Sequence, residues 1–154
     1  STALCLSLME RLLQPGDRFL DVGTGSGILM VAAAHLKAAV LNGVDNDPLA
    51  VEIARANLLR NAVAEERWQV WSGDLARKAS GTYNFVAANI YAAVIVNLLD
   101  HLGRVMAPNC CFICSGITAD QGDTVKKALE AARLRIIAVE ECESWLAMAA
   151  RNGG

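Results

Sequence analysis

Residues 19–36 read FLDVGTGSGILMVAAAHL. A strand-like run, Arg18–Val22, meets three glycines at alternate positions, and a helix-like apolar run begins near Ser26. Gly23, Gly25 and Gly27 can take positive φ and let a ligand come close to the main chain. Each glycine also carries an entropic cost. Three in alternation after a strand therefore point to a ligand more than to a bare strand-to-helix turn.

Outward from this loop the elements alternate. Residues 2–13 (TALCLSLMERLL) form a leading helix, and QPGD turns into the first strand. The second strand, VLNGVD, ends at Asp45. Asp47 is placed to cap the next helix, with Pro48 at its first position, where the missing N–H costs nothing. WQVWS and YNFVAA are the third and fourth strands, and a helix covers about 92–102. CCFICS is the fifth strand and a helix spans about 120–132. LRIIAVE and WLAMAA close the chain, and the ECES between them is too short for a parallel crossover, so these two form an antiparallel hairpin. The series predicts an α/β fold, an open, doubly wound, mainly parallel seven-stranded sheet with helices on both faces. No internal repeat or linker interrupts it.

The chain has 154 residues, the size of a single domain spanning 1–154. Such a domain buries roughly 70% of its unfolded surface, enough for a core without staples. Apolar residues make up 54% but aromatics only 5%, so alanine and aliphatic side chains fill the interior. A formal charge of −2 with interspersed signs gives no electrostatic case for direct nucleic-acid binding. Five cysteines without a secretory leader read as thiols in a reducing, cytoplasmic compartment. Cys111 and Cys114 have metal or redox spacing, but on a strand residues three apart face opposite sides, so they read as core residues and no metal site is expected. From Ala79 to Leu99 there is no charge. That run breaks midway from a strand pattern to helical spacing at Val94, Ile95, Leu98, Leu99 and Leu102, so strand, turn and helix account for it better than a membrane span.

In an open α/β sheet the ligand sits beyond the carboxyl ends of the strands, where the strand order reverses. A dinucleotide fingerprint, G-x-G-x-x-G, fails because Ile28 stands where the third glycine belongs. A P-loop fails because no Lys-Ser or Lys-Thr follows. What remains is D-x-G-x-G-x-G. Asp21 can face a cationic ligand group or brace the loop through backbone N–H bonds. Asp45, about twenty positions beyond the first glycine, is placed for a ribose diol, though it also suits a turn beside Asn46 and Asp47. Asp74, in SGDL after the third strand, can receive an adenine amino group or serve a turn. Three strand-end acids around a glycine loop suit an adenosine ligand with an amino group and no phosphate, which describes S-adenosylmethionine.

The segments DVGTGSGIL, GVDNDPLAVEIARANLLRN and VAANIYAAVI resemble the Rossmann-like S-adenosylmethionine methyltransferases. Within them, TALCL paired with LDVGTGSGIL, ANI after the fourth strand and CSGI after the fifth resemble the ribosomal protein L11 methyltransferase (PrmA) family. The resemblance runs from Thr2 almost to the C-terminus. It implies Asp21, Gly23, Thr24 and Gly25 at the methionine end of the cofactor, Asp45 on the ribose and Asn46 beside the adenine. Asp74 and Leu75 would meet the adenine edge and face, and Asn89 would stand where methyl donor and acceptor nitrogen meet. It also implies a ribosomal protein as partner. The family carries an N-terminal substrate-recognition domain and a glycine–threonine segment ahead of TALCL, and this chain is expected to lack both. Tyr91 stands where relatives carry an aliphatic residue, which would narrow or reshape the acceptor pocket.

Methyl transfer needs alignment more than acid–base machinery, and the side-chain carbonyl of Asn89 can accept an N–H of a neutral acceptor amine. Asn89 can equally cap the turn after the fourth strand. No histidine or carboxylate identifies itself as a general base. Two other classes remain, a methyltransferase of small molecules or nucleic acids and a non-catalytic cofactor-binding module.

Overall fold

The computed structural model describes residues 1–74 and 81–153. Its helices are α1 (Thr2–Leu12), α2 (Ile28–His35), α3 (Pro48–Arg60), α4 (Ala92–Leu102) and α5 (Gly122–Ala131). The strands are β1 (Arg18–Val22), β2 (Val40–Asp45), β3 (Trp68–Ser72), β4 (Tyr83–Asn89), β5 (Met106–Thr118), β6 (Leu134–Cys142) and β7 (Trp145–Asn152). They form one sheet in the order β3-β2-β1-β4-β5-β7-β6. The first five are parallel, and β7 runs antiparallel to both β5 and β6. The expected doubly wound sheet with a closing hairpin is thus observed.

Why β7 lies inside and β6 at the edge follows from their side chains. WLAMAA offers five consecutive buried residues, Leu146 to Ala150, and so is covered on both faces. β6 alternates buried or half-buried with exposed positions and carries Arg135, Glu140 and Glu141, the pattern of a protected edge. Asp47 caps α3 as expected: its side chain accepts from the Leu49 N–H at 3.0 Å, with Pro48 at the first turn.

The sheet separates two apolar layers. α1, α2 and α3 pack on one face around Leu8, Met30, Leu58 and Phe85. α4 and α5 pack on the other around Ile95, Leu98, Phe112 and Leu129. Cys111 belongs to the first layer and Cys114 to the second, so their spacing along β5 divides them between faces. No group of metal-ligating side chains occurs among the described residues. The uncharged stretch resolves into β4 and α4 at its described ends. Among the described residues, no helix is long and apolar enough to cross a membrane.

Two glycines differ sharply in what surrounds them. Gly116, with φ +83°, sits at an irregularity in the β5–β7 pairing, and a Cβ there would stand 2.5 Å from the Ile90 carbonyl oxygen. Gly103 is helical and a Cβ on it meets nothing within 4 Å. Gly116→Ala is expected to lose about 2–4 kcal/mol in urea denaturation, since neither the backbone it meets nor its own φ can yield. Gly103→Ala should be neutral or gain up to about 1 kcal/mol. Equal midpoints for the two variants would contradict this account of the β4–β5 junction.

Candidate functional site

The chain leaves β1 toward β2 and β3 on one side, and returns to β4 and β5 on the other. At that reversal the carboxyl ends of β1 and β4 diverge and open a crevice. A cleft of about 470 Å³ lies there, with Gly23, Asp45, Asn46 and Asn89 among its lining.

The glycine loop forms its floor. Gly23, Gly25 and Gly27 all adopt positive φ, at 76°, 53° and 82°. The N–H groups of Gly23 and Thr24 both donate to the Val44 carbonyl, which ties the loop to the end of β2. Gly27 lies against Ala54, where a Cβ would come within 3.1 Å of the α3 backbone. Gly25 differs, because a Cβ there meets nothing within 4 Å. The loop is therefore tightly packed at its two ends and open in its middle.

Asp45 joins this loop to the next. One carboxylate oxygen accepts the Gly25 N–H and the other the Asp47 N–H, each at 2.9 Å. Both oxygens keep a lone pair, and Asp45 lines the cleft. The expected bracing of the loop through backbone N–H groups is thus made by Asp45, not by Asp21.

Asp21 lies beneath, 1% exposed and outside the cleft lining. Its Oδ2 accepts from the Thr24 hydroxyl at 2.9 Å, and its Oδ1 has no hydrogen-bond partner among the described residues. Burial pushes its carboxyl up to about 7; the Thr24 hydrogen bond opposes this and the charge of Asp45 adds to it. A buried, half-satisfied carboxylate is costly by itself, and an approaching cation would offset that cost. Thr24, also buried, contributes its hydroxyl to Asp21.

The opposite wall is the turn after β4. Ile90 is held between two glycines: a Cβ on Gly23 would stand 2.5 Å from its Cγ2, and a Cβ on Gly116 equally close to its carbonyl oxygen. That packing fixes the neighbours of Ile90. The Asn89 side chain does not cap the helix that follows. Its Nδ2 donates to Thr2 Oγ1 at 3.1 Å, while Tyr91 occupies the N-cap of α4 without a side-chain bond. The first turn of α1 is held at the cleft by this bond and by Ser115 Oγ, which donates to the Ser1 carbonyl at 3.3 Å.

Of the residues expected to hold the cofactor or orient the acceptor, Gly23, Asp45, Asn46 and Asn89 therefore meet in one cleft. Asp21 and Thr24 support its floor, and Gly25 presents open backbone. Asp74 is exposed beyond the carboxyl end of β3 and outside the lining, and Leu75 lies outside the described residues. Tyr91, expected to reshape the acceptor pocket, also lines it, and Ser1, Ile90, Val94, Gly116 and Trp145, which were given no role from the sequence, complete the lining. The marks ANI and CSGI did contain two of these, Ile90 and Gly116, without saying what they do.

The family model described as "Ribosomal protein L11 methyltransferase (PrmA)" matches residues 1–153. A ribosomal protein L11 methyltransferase of Desulfatibacillum aliphaticivorans is 46% identical over 154 residues, covering 98% of this chain and 50% of that protein. The Bacillus subtilis protein of the same name is 39% identical over 152 residues, 99% of this chain and 49% of its own length. The chain thus spans about half the length of these curated relatives. Among solved structures, a ribosomal protein L11 methylase from Lactobacillus delbrueckii subsp. bulgaricus superposes with a TM-score of 0.94 at 25% identity. The match covers 99% of this chain and 79% of that one. A methyltransferase from Pyrococcus furiosus shares the fold, with a TM-score of 0.85 at 16% identity over 100% of this chain and 84% of its own.

The half-satisfied Asp21 has a measurable consequence. Its folded value of about 7 lies above the ordinary 3.8, so the stability it contributes is complete below about pH 4 and is lost as pH rises through 7. Asp21→Asn keeps an oxygen for the Thr24 hydroxyl and cannot ionise. Melting temperatures measured from pH 5 to pH 8.5 should therefore fall more steeply for the parent protein than for the variant, with the variant ahead at the alkaline end. Parallel profiles would show that Asp21 ionises normally.

Proposed function

The chain belongs to the ribosomal protein L11 methyltransferase (PrmA) family, and from that premise we propose that it is an S-adenosylmethionine-dependent methyltransferase unit acting on amino groups of a ribosomal protein. The observation that carries this reading is the meeting of Asp45 and Asn89 in one cleft above an open glycine loop. Asp45 is the only charged side chain among the described lining residues, and it is negative. A nucleotide phosphate would be repelled there, whereas a ribose diol and a cationic amino acid would not.

The residues divide the work by position. Asp45, fixed by two backbone N–H groups, would accept hydrogen bonds from the ribose hydroxyls. The middle of the glycine loop lets the methionine end lie against bare backbone. Asp21 and Thr24 beneath it supply negative potential for the ammonium group. Bound in this cleft, S-adenosylmethionine supplies a methyl group on a sulfonium, open to displacement by a neutral amine. The Asn89 carbonyl oxygen, which has no protein partner among the described residues, accepts an N–H of that amine and directs its lone pair inward. No second carboxylate or histidine lines the described cleft, so the acceptor loses its proton to water at the open mouth. All five cysteines are free, in keeping with work in a reducing cytoplasm.

Calorimetry with S-adenosylhomocysteine, and NADH as control, tests the reading. The first ligand should bind and the second should not. Asp45→Asn, which keeps one acceptor oxygen and loses the charge, should weaken binding by about tenfold or more. Gly25→Ala should cost only about 1 kcal/mol of stability through its positive φ, yet obstruct the ligand. Asn89→Ala should lower turnover far more than affinity, the mark of a contact made in the transition state. Binding of NADH in place of S-adenosylhomocysteine would overturn the cofactor assignment.

A further inference from the structure

A second cavity, of about 460 Å³, opens at the opposite pole of the sheet, where β5 and β6 begin and β7 ends. Leu102 of α4, Met106 of β5 and Leu134 of β6 give it an apolar wall, and all three are buried. Among the described residues α5 contributes only alanines to the lining, Ala131 at the exposed rim. Their short side chains leave the space between α4 and α5 unfilled.

The polarity of this cavity favours a cation. α4 and α5 both end at it, so the partially negative carboxyl termini of two helices converge there. Asp100 sits in the last turn of α4, where an acid works against the helix dipole. It is exposed, and among the described residues it makes no hydrogen bond or ion pair. It is also the only charged side chain among the described lining residues; His101, Arg104 and Arg133 are near in sequence but are not part of the lining. Asn152 adds a second acceptor. Its Nδ2 donates to the Ala107 carbonyl at 3.0 Å, which leaves its Oδ1 shielded from water and without a donor among the described residues. A buried acceptor of that kind is costly, and an N–H carried in by a ligand is the partner it lacks.

We propose that this cavity is a second ligand site, separate from the glycine-loop cleft, and that it takes a free organic amine: a protonated ammonium on an apolar body. Its volume is that of a small-molecule site. The body covers Leu102, Met106 and Leu134, and the ammonium lies between the helix ends beside Asp100. An anion would meet two negative helix termini and a carboxylate, while a plain hydrocarbon would leave the acceptors unpaired. The inference stands apart from the methyltransferase reading, since no residue of the glycine-loop cleft takes part.

The methionines read the site directly. The chain has four, and Met106 is the one in the described lining, whereas Met30 lies beside Gly43, next to Thr24 of the glycine loop. In a sample carrying ¹³C at the methionine methyl groups, phenylbutylamine at neutral pH should shift the Met106 signal saturably and leave that of Met30 in place. Met106→Leu identifies the signal. Phenylbutyrate, the same body with a carboxylate, should leave it unmoved. Asp100→Asn should weaken the amine titration about threefold, and added salt should weaken the parent more than the variant. Ala131→Phe fills the cavity from its rim and should remove binding, with the Met9 and Met30 signals unchanged to show an intact fold. A Met106 signal indifferent to the amine, moved equally by phenylbutyrate, or equally responsive in Asp100→Asn would overturn the proposal. So would a shift at Met30 in place of Met106, which puts the amine in the cleft. A Met106 signal that moves with protein concentration alone would overturn it as well, because a second copy would then be seated on this face.

Discussion

The cleft depends on the passage of Ile90 between Gly23 and Gly116. Three strands end at this point, β1 through Gly23, β4 through Asn89 and β5 near Gly116. A side chain on either glycine would collide with Ile90, by its methyl group on one side and its carbonyl on the other. Because both neighbours are bare backbone, the turn after β4 can sit low between the flanking strands. Asn89 and Tyr91 then inherit fixed positions from the packing of the residue between them. The floor and the wall of the cleft are therefore one packed unit.

Asp45 plays the complementary part on the other side. A carboxylate at the end of β2 could have been solvated. Instead each oxygen takes one backbone N–H, from the glycine loop and from the entry to α3. This satisfies donors that a positive-φ loop leaves pointing inward, and leaves lone pairs facing the cleft. The floor beneath is less settled. Asp21 has one oxygen paired and one bare in a buried setting, an arrangement the fold tolerates at a cost to its own stability. Local strain of this kind gathers where a ligand will relieve it.

How much of this was legible in the sequence divides along physical lines. The strands and helices were, because periodicity and capping are local: Asp47 with Pro48 marks the start of α3, and Val40–Asp45 ends at its acid. The floor was legible for the same reason, since three alternating glycines after a strand announce themselves. The bonding partners were not. From the sequence Asp21 was the acid read as able to brace the loop and Asp45 the one read for a ribose diol or a turn, and only their positions on β1 and β2 decide that Asp45 reaches the Gly25 N–H while Asp21 reaches only Thr24. The far wall was harder still. Nothing local in CSGI says that Gly116 faces Ile90, and nothing near Thr2 says that its hydroxyl meets Asn89 across 87 positions of chain.

Trp145 shows why such long-range features depend on strand direction. In the parallel part of the sheet every strand delivers its last residue to the cleft end, which is why the glycine loop, Asp45 and Asn89 all follow carboxyl termini. An antiparallel strand delivers its first. β7 begins with Trp145 opposite Thr118, at the top of β5, and its later residues pair toward Cys111 and Leu134 at the far end. Were the closing strand parallel, Trp145 would lie at the opposite pole and Asn152 would face the cleft. The tight turn that forces a hairpin is thus also what brings the last aromatic residue of the chain to a cleft whose floor is built from its first fifty residues. The C-terminal hairpin consequently contributes to the lining of the cleft as well as to the closure of the sheet.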